Sequence, residues 1–377
     1  MSSKSNNFLK RMFSVKHRHP TVTFVTLFIV IFFALLVVLQ VFAGSYTDLG
    51  GRGIAFVRSA TDKVLEEKET RPRLNTALYD AKMYALAHRT FSATTTATTT
   101  QATTTYRWPV QAPYPLGGAI LPFKRVIAFY GNLLSTQMGV LGEYPENEML
   151  QKLDEEVALW SVADPATPVQ PALHYIAVTA QASAGVDGMY RARMSAKEIN
   201  KVLAIAEKRE AIVFLDIQVG LSTIQKELPP LDEYLKLPTV HLGIDPEFSM
   251  KSGVAPGKVV GTYDASDINF VIDHLARIVQ ENNLPPKILI IHRYTERMIT
   301  NYKNIKLVPE VQVVMHMDGW GGPEHKKSTY RSFVATQPVQ FTGFKLFYKN
   351  DRWNGFEMLS PQEILKLNPQ PIYIQYQ

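Results

Sequence analysis

Cysteine is absent from the 377 residues. Disulfides and lipid-anchored thiols are therefore excluded, and any metal would have to be held by nitrogen and oxygen ligands. Charge is absent locally: no Asp, Glu, Lys or Arg occurs between Pro20 and Thr47. Inside that gap residues 22–43, bounded by Val22 and Ala43, read VTFVTLFIVIFFALLVVLQVFA, long enough to cross the ~30 Å hydrocarbon core as a single membrane helix. A secretory signal peptide is the competing reading, because Val41 and Ala43 sit like a cleavage site after a basic start. Its apolar core usually runs only about 7–15 residues, so the longer run here favours an uncleaved anchor. Lys4, Lys10, Arg11, Lys16 and Arg18 precede it with no acid among them, which places the N-terminus in the cytoplasm and the C-terminal domain outside it.

A basic folded surface is missing too. The formal net charge is +6, and those five N-terminal bases carry five of it. The remainder is near neutral, which argues against a nucleic-acid partner.

The order along the chain follows from these gaps. Residues 1–20 are a basic cytoplasmic tail and 21–43 the membrane helix. Residues 44–91 read as a juxtamembrane helical stalk, with a charged stretch at 61–69 and a loose apolar stripe of Leu74, Leu78, Met83 and Leu86 that has too few heptads for a coiled coil. Residues 92–105, SATTTATTTQATTT, are low-complexity and cannot build a core. Pro109, Pro113 and Pro115 stiffen the end of this flexible Thr/Pro-rich linker, 92–117, ahead of a folded domain over 118–377.

Within that domain short apolar runs alternate with longer helical patterns, the signature of an α/β fold with a parallel sheet. The strand candidates are 125–130, 174–179, 211–217, 240–247, 287–292, 311–318, 342–348 and 371–376. Helical patterns occupy 146–160, 195–208, 231–237, 267–281, 296–302, 324–333 and 361–367. Ser195 with Glu198 reads as a capping box, and Ser266 as the N-cap ahead of Asp267. Eight strands in roughly 250 residues is the arithmetic of a (β/α)8 TIM barrel. The alternative, a doubly wound open sheet, lacks its Gly-rich phosphate loop after the first strand.

In such a barrel the C-terminal strand ends carry the chemistry. Here they are polar: Tyr130 and Asn132, Thr179 and Gln181, Asp216 and Gln218, Asp245 and Glu247, His292 and Tyr294, then His316, Asp318 and Trp320. The seventh strand offers Lys345 or Tyr348, and the eighth Tyr373 or Gln375. Within most strands these residues share one parity, while Leu215, Ile217, Leu242, Ile244, Leu289, Ile291, Met315 and Met317 hold the other, suited to packing against helices. Spaced two apart on an expected strand, Asp245 and Glu247 should point the same way.

Clustered carboxylates repel, so one should keep its proton above the ~4.3 of a free Glu. A protonated Glu beside an ionised Asp is what glycoside hydrolysis needs, with one group protonating the leaving oxygen and the other stabilising positive charge on the sugar. Trp320, Tyr294 and Tyr130 offer faces for sugar rings, and no cofactor is required.

At this point the chain resembles the lysozyme and chitinase branches of glycoside hydrolase barrels. Family 25 lysozymes carry Asp-x-Glu on the fourth strand, matched by Asp245 and Glu247, and an Asp ending the sixth, matched by Asp318. Their first-strand Asp has Asn132 as its nearest counterpart. Family 18 chitinases carry Asp-x-x-Asp-x-Asp-x-Glu, of which Asp245 and Glu247 match while Val240 and Gly243 take the two earlier acid positions. Their sixth-strand Met-x-Tyr-Asp is echoed in Met315-His316-Met317-Asp318. The resemblance implies Glu247 as general acid, Asp245 as its electrostatic partner and Asp318 as a residue orienting the substrate. Tyr130, Asn132, Asp216, Gln218, His292, Tyr294, His316 and Trp320 complete the expected binding surface, on a cell-envelope glycan such as peptidoglycan.

Two other classes compete. A metal-dependent hydrolase would use Asp216, Asp245, Glu247, His292, His316 and Asp318, although the first strand lacks the His-x-His of amidohydrolase barrels. A non-catalytic glycan-binding barrel would need the aromatics but not Glu247.

Overall fold

The structure, a computed structural model, describes residues 71–88 and 108–377. The expected tail, the span at 22–43, the stalk up to residue 70 and the Thr tract lie outside them. Among the described residues no helix is long and apolar enough to cross a membrane.

Eight parallel strands close into a barrel: β1 Arg125–Gly131, β2 Val169–Ala180, β3 Ile212–Ile217, β4 Val240–Ile244, β5 Lys287–Arg293, β6 Val311–Met317, β7 Phe341–Leu346 and β8 Tyr373–Tyr376. Closure is made by β1, which pairs with β2 (Tyr130↔His174) on one side and β8 (Val126↔Tyr373) on the other. Each expected strand is present. Three short strands are additional: Arg191–Arg193 runs antiparallel to β2, and Tyr263–Asp264 pairs with Ile299–Thr300. That last pairing splits the helix expected over 296–302 into two 3-10 turns, Glu296–Met298 and Tyr302–Asn304.

Two apolar cores result from the alternation of side chains. Leu215, Leu242, Leu289, Val313 and Phe344 point outward and meet the long helices Glu146–Ala163, Ala196–Glu207 and Ala265–Glu281. Each such fully buried side chain contributes about 1.5–3 kcal/mol. The last of these helices starts two residues earlier than Ser266 suggests, because Asp264 is the N-cap and forms a reciprocal capping box with Asp267. At Ser195 only half a box forms: its side chain accepts from the Glu198 amide.

The second core fills the lower lumen, where Val126, Ile212, Phe214, Ile288, Val314 and Phe341 meet Tyr79, Met83 and Leu86 of the helix Thr76–Leu86. This corrects the expected stalk and the domain start at 118. The compact unit begins at Arg71, and the helix closes one end of the barrel, joined to it by Gln370 N donating to Leu86 O at 2.6 Å; Trp108, in the same core, donates from Nε1 to Gln340 O at 2.6 Å. The physical reason is the narrowness of the stripe. An apolar stripe of three residues on an 11-residue helix cannot sustain a coiled coil, but it is enough to plug a barrel end. Arg125, fully buried and paired with Asp164 at 2.7 Å, and Lys287, whose Nζ donates to Leu237 O and Val240 O, hold this same end, where polar groups serve stability.

Candidate active site

The opposite end opens into a cavity of about 820 Å³. Tyr130, Gln218, Asp245, Glu247, Tyr294 and Asp318 line its depth, and Trp320 stands at its rim. These come from β1, β3, β4, β5 and β6, so the strand-end prediction holds for them as a matter of placement. Asp216, His292 and His316 are fully buried beneath the cavity rather than lining it.

Asn132 stands apart. Its amide donates to Ile176 O at 3.0 Å and its carbonyl accepts from Leu134 N at 2.9 Å, so it shapes the turn after β1 and does not reach the cavity. A substrate-binding role for Asn132 is thereby withdrawn: both ends of its side chain are already used by backbone.

The two central acids are not arranged as a strand would place them. Pro246 ends β4 at Ile244, since proline cannot continue a central ladder. Asp245 becomes the N-cap of the 3-10 turn Pro246–Phe248, and its Oδ1 accepts from Glu247 N at 3.0 Å. Both still face the cavity. β2 is similarly irregular, with a bulge between Ile176 and Val178 that brings Ile176 and Ala180, not Thr179, to the lining.

Charge in the floor is arranged around His292. Its Nδ1 bonds Asp318 Oδ2 at 2.8 Å, and its Nε2 lies 3.6 Å from Asp216 Oδ1. Burial opposes a charged ring, yet these two carboxylates raise His292 to about 10, so an imidazolium stands between two anions. Against the same burial, His292 and His174 hold Asp216 well below its usual range. Lys345 then His292 do likewise for Asp318, which Lys345 Nζ reaches at 2.8 Å. Lys345 also lies 3.9 Å from the centre of the Tyr130 ring, a cation–π contact. The Lys345–Asp318 pair and the bond from His292 to Asp318 offset part of the cost of burying charge here.

Asp245 and Glu247 sit differently. Burial, reinforced by Glu247, Asp216 and Asp318, raises Asp245 well above the usual carboxylate range despite His292. Burial and the Asp318 anion raise Glu247, although Tyr294 donates a hydrogen bond to it and Lys345 and His292 pull the other way. The site thus sets two aspartates whose ionised form is favoured beside two acids that hold their protons more tightly than usual, and Glu247 is the less enclosed of the latter.

Three residues that sequence reading left out of the site belong to it, and so does Lys345, which it offered only as an alternative to Tyr348. His174, in the middle of β2, stacks on Phe214 at 5.2 Å and bonds Tyr373 OH at 2.6 Å. Its inward parity was legible, but a histidine far from a strand end carries no other mark. Lys345 faces inward, whereas Tyr348, the other candidate on that strand, is used outside the barrel by Glu156 at 2.8 Å. Trp353 and Phe356 come from the loop after β7; Trp353 meets Trp320 edge to face at 6.3 Å. No periodicity marks a loop residue in sequence.

Gly243 makes the floor possible. A Cβ there would stand 2.4 Å from Asp216 Oδ1 and 2.5 Å from His174 Nε2. Gly243→Ala is therefore expected to cost about 3 kcal/mol, the upper part of the usual range for overpacking. Urea unfolding checks this, and a midpoint equal to the parent's would show that the floor tolerates the methyl group.

No protein-family model matches the chain, and no curated protein sequence matches it.

Proposed function

We propose that this barrel is a membrane-anchored, extracytoplasmic glycoside hydrolase acting on a cell-envelope glycan, with Glu247 as the general acid. The observation that carries the reading is the placement of Glu247: partly buried at the cavity wall, hydrogen-bonded by Tyr294, above an Asp318–Lys345 ion pair and beneath the rim aromatics Trp320 and Trp353. A cavity with exposed indoles at its rim suits the flat apolar faces of sugar rings.

In this reading Glu247 gives its proton to the leaving glycosidic oxygen as the bond from the anomeric carbon breaks. Asp318, rather than Asp245, supplies the negative charge that faces the developing oxocarbenium ion. The reassignment follows from charge: burial makes Asp245 hold its proton more tightly and its carboxyl caps a turn, while the Lys345 salt bridge favours the ionised form of Asp318. Water adds its hydroxide to the anomeric carbon, and its proton returns to a carboxylate. A pure binding module has no use for a carboxylic acid held in its protonated form.

The test is mass spectrometry of products after incubating the full chain, and its Glu247→Gln variant, with peptidoglycan and a panel of β-linked oligosaccharides. Fragments released by the parent and lost in the variant support the reading. If neither releases product while both bind the same glycan equally, the barrel is a binding module.

The pH profile is a second check. An acid catalyst acts only while protonated, and the Glu247 carboxyl is raised above the ordinary 4.5. Activity should be retained past pH 4.5 and fall on a basic limb as pH rises through the raised value. A rate that increases across that limb would assign Glu247 as a base instead.

A further inference from the structure

Beneath the cavity, three fully buried side chains turn one atom each toward a common point: His174 Nε2, Asp216 Oδ1 and His292 Nε2, all within 4.8 Å of one another. His174 Nε2 is 3.4 Å and His292 Nε2 3.6 Å from Asp216 Oδ1. Both separations exceed a normal N–H···O bond, and none of the three atoms has a hydrogen-bond partner among the described residues. Unpaired polar atoms in a dry interior are costly, and three that converge call for something between them.

The far side of each group is already engaged. His174 Nδ1 bonds Tyr373 OH at 2.6 Å, and that hydroxyl also accepts from Gln375 at 2.9 Å. His292 Nδ1 bonds Asp318 at 2.8 Å, and Asp216 Oδ2 accepts from Tyr130 OH at 3.1 Å. Fixing the outer atom of each ligand so that its inner atom is aimed and free is how proteins orient metal ligands, with the carboxylate–histidine pair the commonest device. Gly243, whose missing Cβ would fall 2.4 Å from Asp216 Oδ1 and 2.5 Å from His174 Nε2, keeps the meeting point open.

We propose that His174, Asp216 and His292 bind one divalent cation of the zinc class through Nε2, Oδ1 and Nε2. Ligand atoms bonded at about 2.0–2.2 Å around a tetrahedral ion stand roughly 3.3–3.6 Å apart, and the two measured edges agree with that. The absence of cysteine leaves nitrogen and oxygen donors, which zinc, cobalt and nickel accept. On binding, the cation takes the Nε2 lone pair of His292, and one proton leaves to solvent. A second trio, His292, His316 and Asp318, is also close enough for an ion. It is the weaker candidate, because an ion there would compete with the 2.8 Å bond between His292 and Asp318. The proposal goes beyond the glycan reading and does not rest on it.

The experiment is metal content and cobalt absorption of the full chain after incubation with zinc or cobalt and removal of the excess. About one equivalent per chain is expected, with cobalt bands typical of nitrogen and oxygen ligation and a thermal midpoint that falls on chelation. His174→Gln should lose the metal and His316→Gln should keep it. Tyr373→Phe, which frees His174 Nδ1 and the Gln375 amide without touching a ligand, should weaken binding about 10- to 100-fold while the chain stays folded by circular dichroism. Absence of bound metal in the parent overturns the proposal, and so does metal that survives His174→Gln but is lost in His316→Gln. Because none of these readouts involves a sugar, failure of the glycan reading leaves them intact, and the reverse holds too.

Discussion

Glu247→Gln is expected to lower turnover on the glycan by about 10²–10⁴-fold, the usual contribution of a positioned proton donor. The amide keeps the size of the carboxyl and still offers Tyr294 an oxygen to donate to, so what disappears is the proton. The barrel should be no less stable, and somewhat more so near neutral pH, since a partly buried acid beside the Asp318 anion has been replaced by a neutral group. Trp320→Ala provides the contrast. An indole that binds sugar equally well in ground and transition states raises KM and spares kcat. Product release by Glu247→Gln at the parent's rate, measured by counting reducing ends, would remove Glu247 from the chemistry.

Asp351→Ala is expected to destabilise the protein by roughly 3–5 kcal/mol, the cost of leaving a buried charge without its partner. Asp351 and Lys326 are each about 1 % exposed and meet at 2.7 Å. Burial already pulls Lys326 down to about 8, with Asp351 opposing it. The same carboxylate accepts from Gly321 N at 3.0 Å and Phe347 N at 2.9 Å. One buried acid therefore ties the Trp320 loop to the segment that carries Trp353. Its loss should lower the thermal midpoint by on the order of 10 °C and raise KM together. Lys326→Met combined with Asp351→Asn should recover part of the stability, because the unpaired charge is gone and one of the two amides keeps an acceptor. A scanning-calorimetry trace for Asp351→Ala that overlays the parent's would show that the pair contributes nothing.

Much of the barrel was legible in the sequence. Short β-branched runs such as IVFLDI and KILIIH alternate with amphipathic helices, and neither pattern depends on distant residues. The inward or outward sense of Asp216, Leu242, Ile291 and Met315 followed from parity alone. Legibility ended where a local rule was broken. Pro246 turned an expected strand end into a cap, the bulge in β2 displaced Thr179, and a strand pair at Ile299–Thr300 interrupted a helix. The proline is a local signal that competes with strand alternation, and the other two breaks are decided by a neighbour across the fold.

The helix Thr76–Leu86 shows the same limit at larger scale. Its apolar residues are visible, but whether they face a membrane-proximal stalk or a barrel end depends on an opening made by eight strands from elsewhere in the chain.

By itself, the sequence determined the parallel barrel, the polarity of its C-terminal strand ends and the candidacy of Asp245, Glu247 and Asp318, because periodicity and strand alternation are properties of consecutive residues. Only the tertiary structure decided which acids hold their protons more tightly, that Lys345 rather than Tyr348 enters the site, that Asn132 serves a turn, and that His174 joins Asp216 and His292. Burial, opposing charges and unpaired atoms are created by residues far apart in the chain, and no local pattern encodes them.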